Sequence, residues 1–298
     1  MSQIAFLGAI ETGLIFALVA FGVFISFRVL DFPDLTVDGS FPLGAAVSAT
    51  MIISGINPWL ATLAAVLAGC AAGWLTAWMN VKLKILHLLA SILTMIALYS
   101  VNLRIMGRPN IALLGEQTVL LPFENLGLAY YYSTPLAFAV IVLVVVTLMY
   151  MFLNSETGLA MRAAGANKNM ARAQGINTGA MIMLGMALSN GLVALAGSMF
   201  AQSQGAADVT MGVGVIVVGL ASVIGGEAVL PPKTIWWALV GCILGSILYR
   251  LAIAAALNAD FLGLQAQDLN LITAALVAIA IVLPGAKRSV FRKFGGTK

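Results

Sequence analysis

Apolar runs of about 20 residues follow one another along the whole chain, broken by short polar stretches. A run of that length can cross a bilayer as a helix. The pattern predicts spans at residues 5–27, 41–56, 59–80, 86–106, 133–153, 180–203, 209–229, 234–257 and 268–284. Pro58, Pro135 and the pair Pro231-Pro232 fall between spans or at their edges, where a missing backbone N–H costs little. A membrane barrel would show short segments of alternating polarity instead. The expected fold is all-α: a polytopic membrane protein, a bundle of about 8–10 transmembrane helices forming one domain over residues 1–298. The opening MSQIAFLGAIETG carries no basic segment and no clear cleavage site, so it reads as the start of the first helix rather than a signal peptide.

Two polar interruptions stand out. The first, Leu153 to Gly179, reads LNSETGLAMRAAGANKNMARAQGINTG and sets Arg162, Lys168 and Arg172 against the single acid Glu156. Asn167 can cap a helix over Lys168 to Gln174, and Gly175 can end it in a left-handed turn. Such a helix is about 10 Å long, too short to be stable alone in water. Either it docks on another protein at the membrane surface, or the stretch is an ordinary positively charged loop.

The second interruption, residues 28–44, reads RVLDFPDLTVDGSFPLG and places Asp31, Asp34 and Asp38 between two apolar segments. Three carboxylates facing lipid at mid-depth would cost roughly 8–10 kcal/mol. The segment is therefore a loop with solvated acids or irregular backbone lining a water-filled cavity. Pro33, Gly39 and Pro42 oppose an uninterrupted helix. Asp38 or Ser40 is expected to cap the helix beginning near Phe41, and Arg28 to neutralise one carboxylate. On the broken-helix reading, Asp31, Pro33, Asp34, Asp38, Ser40 and, from a later span, Asn190 become candidates for a translocation pathway.

Composition narrows the class. The chain is 61% hydrophobic and 9% charged, with mean hydropathy +1.04, whereas soluble domains carry about 25% charged residues. No stretch is long or polar enough for a soluble domain, so no ATPase, receptor or enzyme domain is expected within it. With the C-terminal tail in the cytoplasm, Arg28, Lys82, Lys84, Arg162, Lys168, Arg172, Lys233, Lys287, Arg288, Arg292, Lys293 and Lys298 fall inside, and Arg104, Arg108 and Arg250 outside. Twelve of fifteen on one side places the 154–179 loop in the cytoplasm. Nine spans put the N-terminus outside; a re-entrant 28–58 would move it inside.

The stretch from Gly107 to Ser133, with Tyr130, Tyr131 and Tyr132, is either an interfacial aromatic belt or a partly folded platform for an external partner. Gly69 with Gly73 and Gly241 with Gly245 have the spacing of close helix packing. Cys70 and Cys242 lie in apolar spans among small residues, which suits packing rather than a disulfide or a metal. The single histidine, His87, opens a span beside Lys82 and Lys84 and reads as interfacial. An intramembrane enzyme would need a nucleophile–base pair or a metal cluster. The chain has no HExxH and no GxSxG, and neither cofactor nor metal is expected. A self-contained secondary transporter or channel would need polar groups inside the bundle; the later spans offer Asn190, Gln202, Gln204, Asp208 and Asp268.

MRAAGANKNMARAQGIN, then GMALSNGLVALAGSMFAQSQG and GVIVVGLASVIGGEAV, resembles the permease subunits of ABC importers, in particular the branched-chain amino-acid and ribose permease superfamily. LDFPDLTVDGSFPLGA is similar to a subgroup of tryptophan and tyrosine transport permeases. Its three aspartates depart from the wider superfamily, so ligand contacts do not carry over there. The resemblance implies an inner-membrane permease importing a small organic solute such as an amino acid. It also implies two ATPase subunits, an external solute-binding protein and a second permease copy, most simply a homodimer. It assigns coupling to the ATPase to Arg162, Gly165, Asn167, Lys168, Met170, Arg172, Gly175, Ile176 and Asn177. The chain has no G-x-x-x-x-G-K-[ST], in keeping with a separate ATPase.

Overall fold

The computed structural model describes residues 3–124, 130–257 and 278; the expected span at 268–284 and the C-terminal tail lie outside them, apart from that one residue. Apolar sequence, interrupted only where a cap or a glycine allows, gives a chain of helices. Helix α1 (Gln3–Val23) runs on as a π-helix over Phe24–Val29, and an irregular segment over 30–36 leads into α2 (Val37–Ile53). Then come α3 (Pro58–Leu83), α4 (His87–Met106), strand β1 (Asn110–Ala112), α5 (Leu121–Glu124) and α6 (Tyr130–Asn154). After these follow α7 (Glu156–Ala166), α8 (Lys168–Ala173), α9 (Thr178–Gln204), β2 (Ala206–Asp208), α10 (Val215–Val229) and α11 (Ile235–Leu257). Local chemistry sets several boundaries. Asn57 accepts a hydrogen bond from the Trp59 amide with Pro58 at the first position of α3, and Gly107 and Gly205 close α4 and α9 at φ +68°.

Among the described residues, six helices are long and apolar enough to cross a membrane, and α2 and α10 are shorter. The expected 209–229 span is corrected: its helix has 15 residues, Val215–Val229, about 22 Å. The span expected at 41–56 starts four residues earlier, at Val37, and ends at Ile53. Pro42 lies in the second turn of α2, where it forgoes the backbone bond to the Asp38 carbonyl, and the helix nevertheless continues to Ile53.

Helix α9 occupies the centre, packed on α1, α2 and α3. Missing side chains permit the approach: a β-carbon on Gly44 would lie 2.0 Å from the Ala194 carbonyl oxygen, and one on Gly73 would lie 2.1 Å from that of Met186. Gly241 and Gly245 play the same part between α10 and α11, facing Gly226 and Ser222. The core holds Ile15, Leu18, Phe21, Met186 and Met199, fully buried or nearly so. Leu67, Trp74, Leu89, Ile96, Leu143 and Leu148 stay exposed on α3, α4 and α6, as apolar residues do when lipid is the solvent. Cys70 and Cys242 are free thiols.

The two ends of the bundle differ. One carries Arg28, Arg162 and Lys233 around a cavity of about 460 Å³; it is called the basic end below. At the other, β1 and β2 pair antiparallel with Ile111 opposite Ala207, and Ile111 and Leu113 bury against Ala45, Ala49 and Ile52 of α2. The Val119 amide donates to Gln202 Oε1 at 2.9 Å. Part of the long polar stretch after α4 is thus folded over this ribbon end. The Asp208 carboxyl there is held below its ordinary range by the Thr210 hydroxyl and amide. Helix α1 begins at the ribbon end, where Glu11 accepts a hydrogen bond from Ser203. The chain therefore enters from the side opposite the basic end, and the irregular segment does not reverse that count.

Candidate functional site

The predicted residues fall into two groups, one at the basic end and one inside the bundle. In the hairpin of α7 and α8, Ser155 caps α7 by accepting from the Gly158 amide. Asn167 ends α7 and caps α8, its Oδ1 accepting from the Asn169 and Met170 amides at 3.1 and 3.0 Å. Gly175 follows at φ +81°, and Asn177 caps α9 through the Ala180 amide. The short helix ends at Ala173, one residue before the expected Gln174, which instead forms its C-terminal cap. Arg162, Asn167, Arg172, Gly175 and Asn177 are exposed, and Met170 is 64% exposed. Lys168, Gly165 and Ile176 are partly covered. Arg172 Nε donates to Thr178 Oγ1 at 2.9 Å and ties the hairpin to the start of α9. A β-carbon on Gly165 would meet the Val29 carbonyl oxygen at 1.8 Å, so α7 rests directly on the last residue of the π-helix.

Just beyond that contact the chain breaks. Asp31 takes a left-handed φ of +52° and stays exposed, as does Pro33, while Phe32 turns inward against His87 with ring centroids 4.3 Å apart. Asp34 is completely buried. Its Oδ1 accepts from the Thr36 amide at 2.8 Å, and its Oδ2 from Asn190 Nδ2 at 2.8 Å. Asn190 Oδ1 in turn accepts from Ser40 Oγ at 2.7 Å. Thr36 continues the polar run to Thr76 and Thr94 at 2.9 and 2.8 Å. Asn190 stands twelve residues after the start of α9 and fourteen before its end, about 18 Å from the basic end. From Asp34 on, the segment is thus irregular backbone inside the bundle rather than a solvated loop, and its buried polar side chains, Asp34 and Thr36, are hydrogen-bonded, as burial requires.

Asp38 does not cap its own helix. It lies within the first turn of α2, and Thr36, the residue before that helix, makes no side-chain cap bond. The Asp38 carboxylate accepts instead from the Gly214 and Ile216 amides at 3.2 and 2.8 Å, capping α10 from 176 and 178 residues away. A carboxylate there satisfies orphan amides and meets the positive end of the helix dipole. Ser40 caps nothing and serves Asn190. Arg28 pairs with Glu227 at the end of α10 rather than with an aspartate.

Of the six pathway candidates, Asp34, Ser40 and Asn190 form one hydrogen-bonded group, Asp38 a neighbouring cap, and Asp31 and Pro33 face outward. Asp38 also borders a mostly apolar cavity of about 420 Å³ between α2, α4 and the turn before α10. Two features had no local signal, the Arg28–Glu227 pair and the distant cap, whereas the third missed feature, the placement of Arg250, had one. Counted by charge among the outer-end cations, Arg250 lies within α11 with its guanidinium 3.8 Å from the centre of the Phe16 ring. Phe16, Phe41 and Phe200 meet there with centroids 5.7–5.9 Å apart. A lone basic residue inside an apolar span is the sequence sign of such a placement.

An apolar helical bundle with one stretch of irregular backbone inside it, and a capped hairpin at its basic end, is the build of a membrane transport component. The family described as branched-chain amino acid transport system / permease component matches residues 5–283, and this chain belongs to it. The chain is 40% identical to the Tyrosine transport system permease protein of Clostridioides difficile over 91% of this chain and 88% of that one. It is 25% identical to the Ribose import permease protein RbsC of Haemophilus influenzae over 84% and 75% of the two chains. Among solved structures, PsaBC from Streptococcus pneumoniae in complex with Fab aligns with TM-score 0.51 and 16% identity over 93% of this chain and 90% of that one, a likeness of fold. The protein is an integral inner-membrane protein and the permease component of an ABC-type transport system.

Proposed function

We propose that this chain is the membrane subunit of an ATP-driven importer of amino acids, with aromatic ones the first to test. The solute class rests on the tyrosine-permease relative. The observation that carries the coupling role is the α7–α8 hairpin, a short capped helix presenting Met170 and Arg172 outward. Of the α8 residues Ala171 is the buried one, which leaves the rest of that helix surface for a partner. Arg162, Gly165, Asn167, Lys168, Met170, Arg172, Gly175, Ile176 and Asn177 form the ATPase contact and its hinges, on the cytoplasmic side. Because Gly165 rests on Val29, movement of the hairpin reaches the broken segment at once. Asp34, Ser40 and Asn190 fasten that segment to α9 along the translocation pathway, with Asp38 beside it and Asp31 and Pro33 at its exposed edge. One chain offers one docking helix and an ATPase pair offers two grooves, so a homodimer completes the assembly by two-fold symmetry. An external binding protein delivers solute at the ribbon end.

The test is ATP-driven uptake of L-tyrosine by proteoliposomes containing the permease, its ATPase and its binding protein. Gly175→Pro, which a φ of +81° forbids, is expected to abolish co-purification of the ATPase while the permease still inserts. Uptake without ATP, or full ATPase binding by Gly175→Pro, would refute the assignment.

A further inference from the structure

The cavity beside Asp38 is unusual in its acceptors. It is lined mainly by apolar groups, including Pro42, Tyr99 and Val213, with Asp38 and Asn102 among them. Asn102 is completely buried. Its Nδ2 donates to the Gly39 carbonyl at 3.2 Å, which fixes the amide's orientation. Its Oδ1 has no hydrogen-bond donor among the described residues. A buried amide oxygen without a donor is a rare and costly arrangement. It makes sense if a donor arrives with a ligand.

Asp38 supplies the matching charge. Its two oxygens take the Gly214 and Ile216 amides, yet each carboxylate oxygen has a second lone pair. The end of α10 contributes only about half a positive charge, so the ionised Asp38 carboxylate leaves net negative charge for an arriving cation to meet. Among the described residues, no Lys or Arg lines the cavity. Its volume of about 420 Å³ lies within the range of about 300–1,000 Å³ typical of small-molecule sites.

We infer that this cavity is a solute site for a primary ammonium carried on an apolar or aromatic body. The ammonium sits between the Asp38 carboxylate and Asn102 Oδ1, and the body lies against Pro42, Tyr99 and Val213. An anionic solute without an amine has no counter-charge there. The inference deepens the amino-acid import reading and rests on it for the identity of the solute. It also explains why α10 starts where it does: the same carboxylate that binds the amine holds the helix start, so occupancy of the site and the position of α10 are joined at one residue.

The experiment uses the purified full-length permease in nanodiscs, with Cys70 and Cys242 replaced by serine and a cysteine at position 99, where the side chain is 52% exposed. The rate of maleimide labelling is measured with L-tyrosine, tyramine or 3-(4-hydroxyphenyl)propionate present. Tyrosine and tyramine are expected to slow labelling and the desamino acid not to. Asp38→Asn, with amide exchange at 214–216 confirming that α10 is still capped, and Asn102→Leu are each expected to raise the half-protecting concentration about tenfold or more, the scale of one lost charge-assisted contact. Equal protection by the desamino acid, or unchanged protection in both variants, overturns the ammonium site. Tyrosine uptake by the complete transporter without any protection at position 99 overturns the site and leaves the import reading standing. Protection without ATP-driven uptake does the reverse.

Discussion

The α7–α8 hairpin and the buried group around Asp34 are both polar interruptions of apolar sequence, and they are held in opposite ways. In the hairpin, Asn167 bonds amides two and three residues ahead, and both sides of each bond remain near water. Around Asp34 the bonds join residues 150 and 156 positions apart, and at Asp38 up to 178 apart, within the packed bundle. A local cap that fails is rehydrated. A buried partner that is lost leaves a group that nothing replaces. The hairpin meets the chain at Val29 through Gly165, five residues before Asp34, so a compliant surface element lies close in sequence to a stiff interior one.

The largest effect is expected from Asn190→Leu, which strips Asp34 of one partner and Ser40 of its acceptor at mid-depth. A loss of about 3 kcal/mol is expected, seen as a lower midpoint of thermal unfolding in detergent. A wild-type midpoint would mean that water enters the group and that the interior is not stiff. Asp38→Ala removes the cap of α10 and should cost about 1–2 kcal/mol, with faster amide exchange at 214–216. Asp38→Asn should recover most of that stability, since an amide oxygen still caps. Next in size, Asn167→Ala should cost about 1 kcal/mol, confined to the hairpin: proteolysis at 168–176 accelerates while the global midpoint holds. A global shift as large as that of Asn190→Leu would erase the distinction between the regions. The smallest change belongs to Arg28→Gln. Arg28 is 52% exposed in its pair with Glu227, and exposed pairs contribute about 0–1 kcal/mol, so chemical denaturation should barely register it.

The same contrast explains what could be read from the chain. The spans follow from apolar length, and the hairpin from Asn167 and Gly175, because both depend on residues that are neighbours in sequence. The break after Arg28 was marked by Pro33, Gly39 and three acids. Where each acid goes was not, because Asp34 is placed by Asn190 and Asp38 by Gly214. The shortening of the 209–229 span was hidden for a related reason: its first residues are as apolar as its last, and only the distant carboxylate shows where α10 starts. Arg250 was assigned by counting charge per side, a rule that treats every cation as interfacial. The aromatic rings of α1, α2 and α9 around it were too far apart in sequence to suggest otherwise.

The Asp34–Asn190 bond also sets a schedule for the making of the protein. Residues 34 and 190 are separated by 156 positions. At about 5–20 residues per second of synthesis, Asp34 waits roughly 10–30 s for the amide that accepts it into the bundle, and Asp38 slightly longer for the start of α10. Through that interval the first two helices carry carboxylates that lipid will not solvate. They must stay in the aqueous shelter of the insertion machinery or at the headgroups until α9 arrives. Insertion strictly span by span is therefore not expected, and chains truncated before residue 190 should remain bound to that machinery rather than partition into the bilayer.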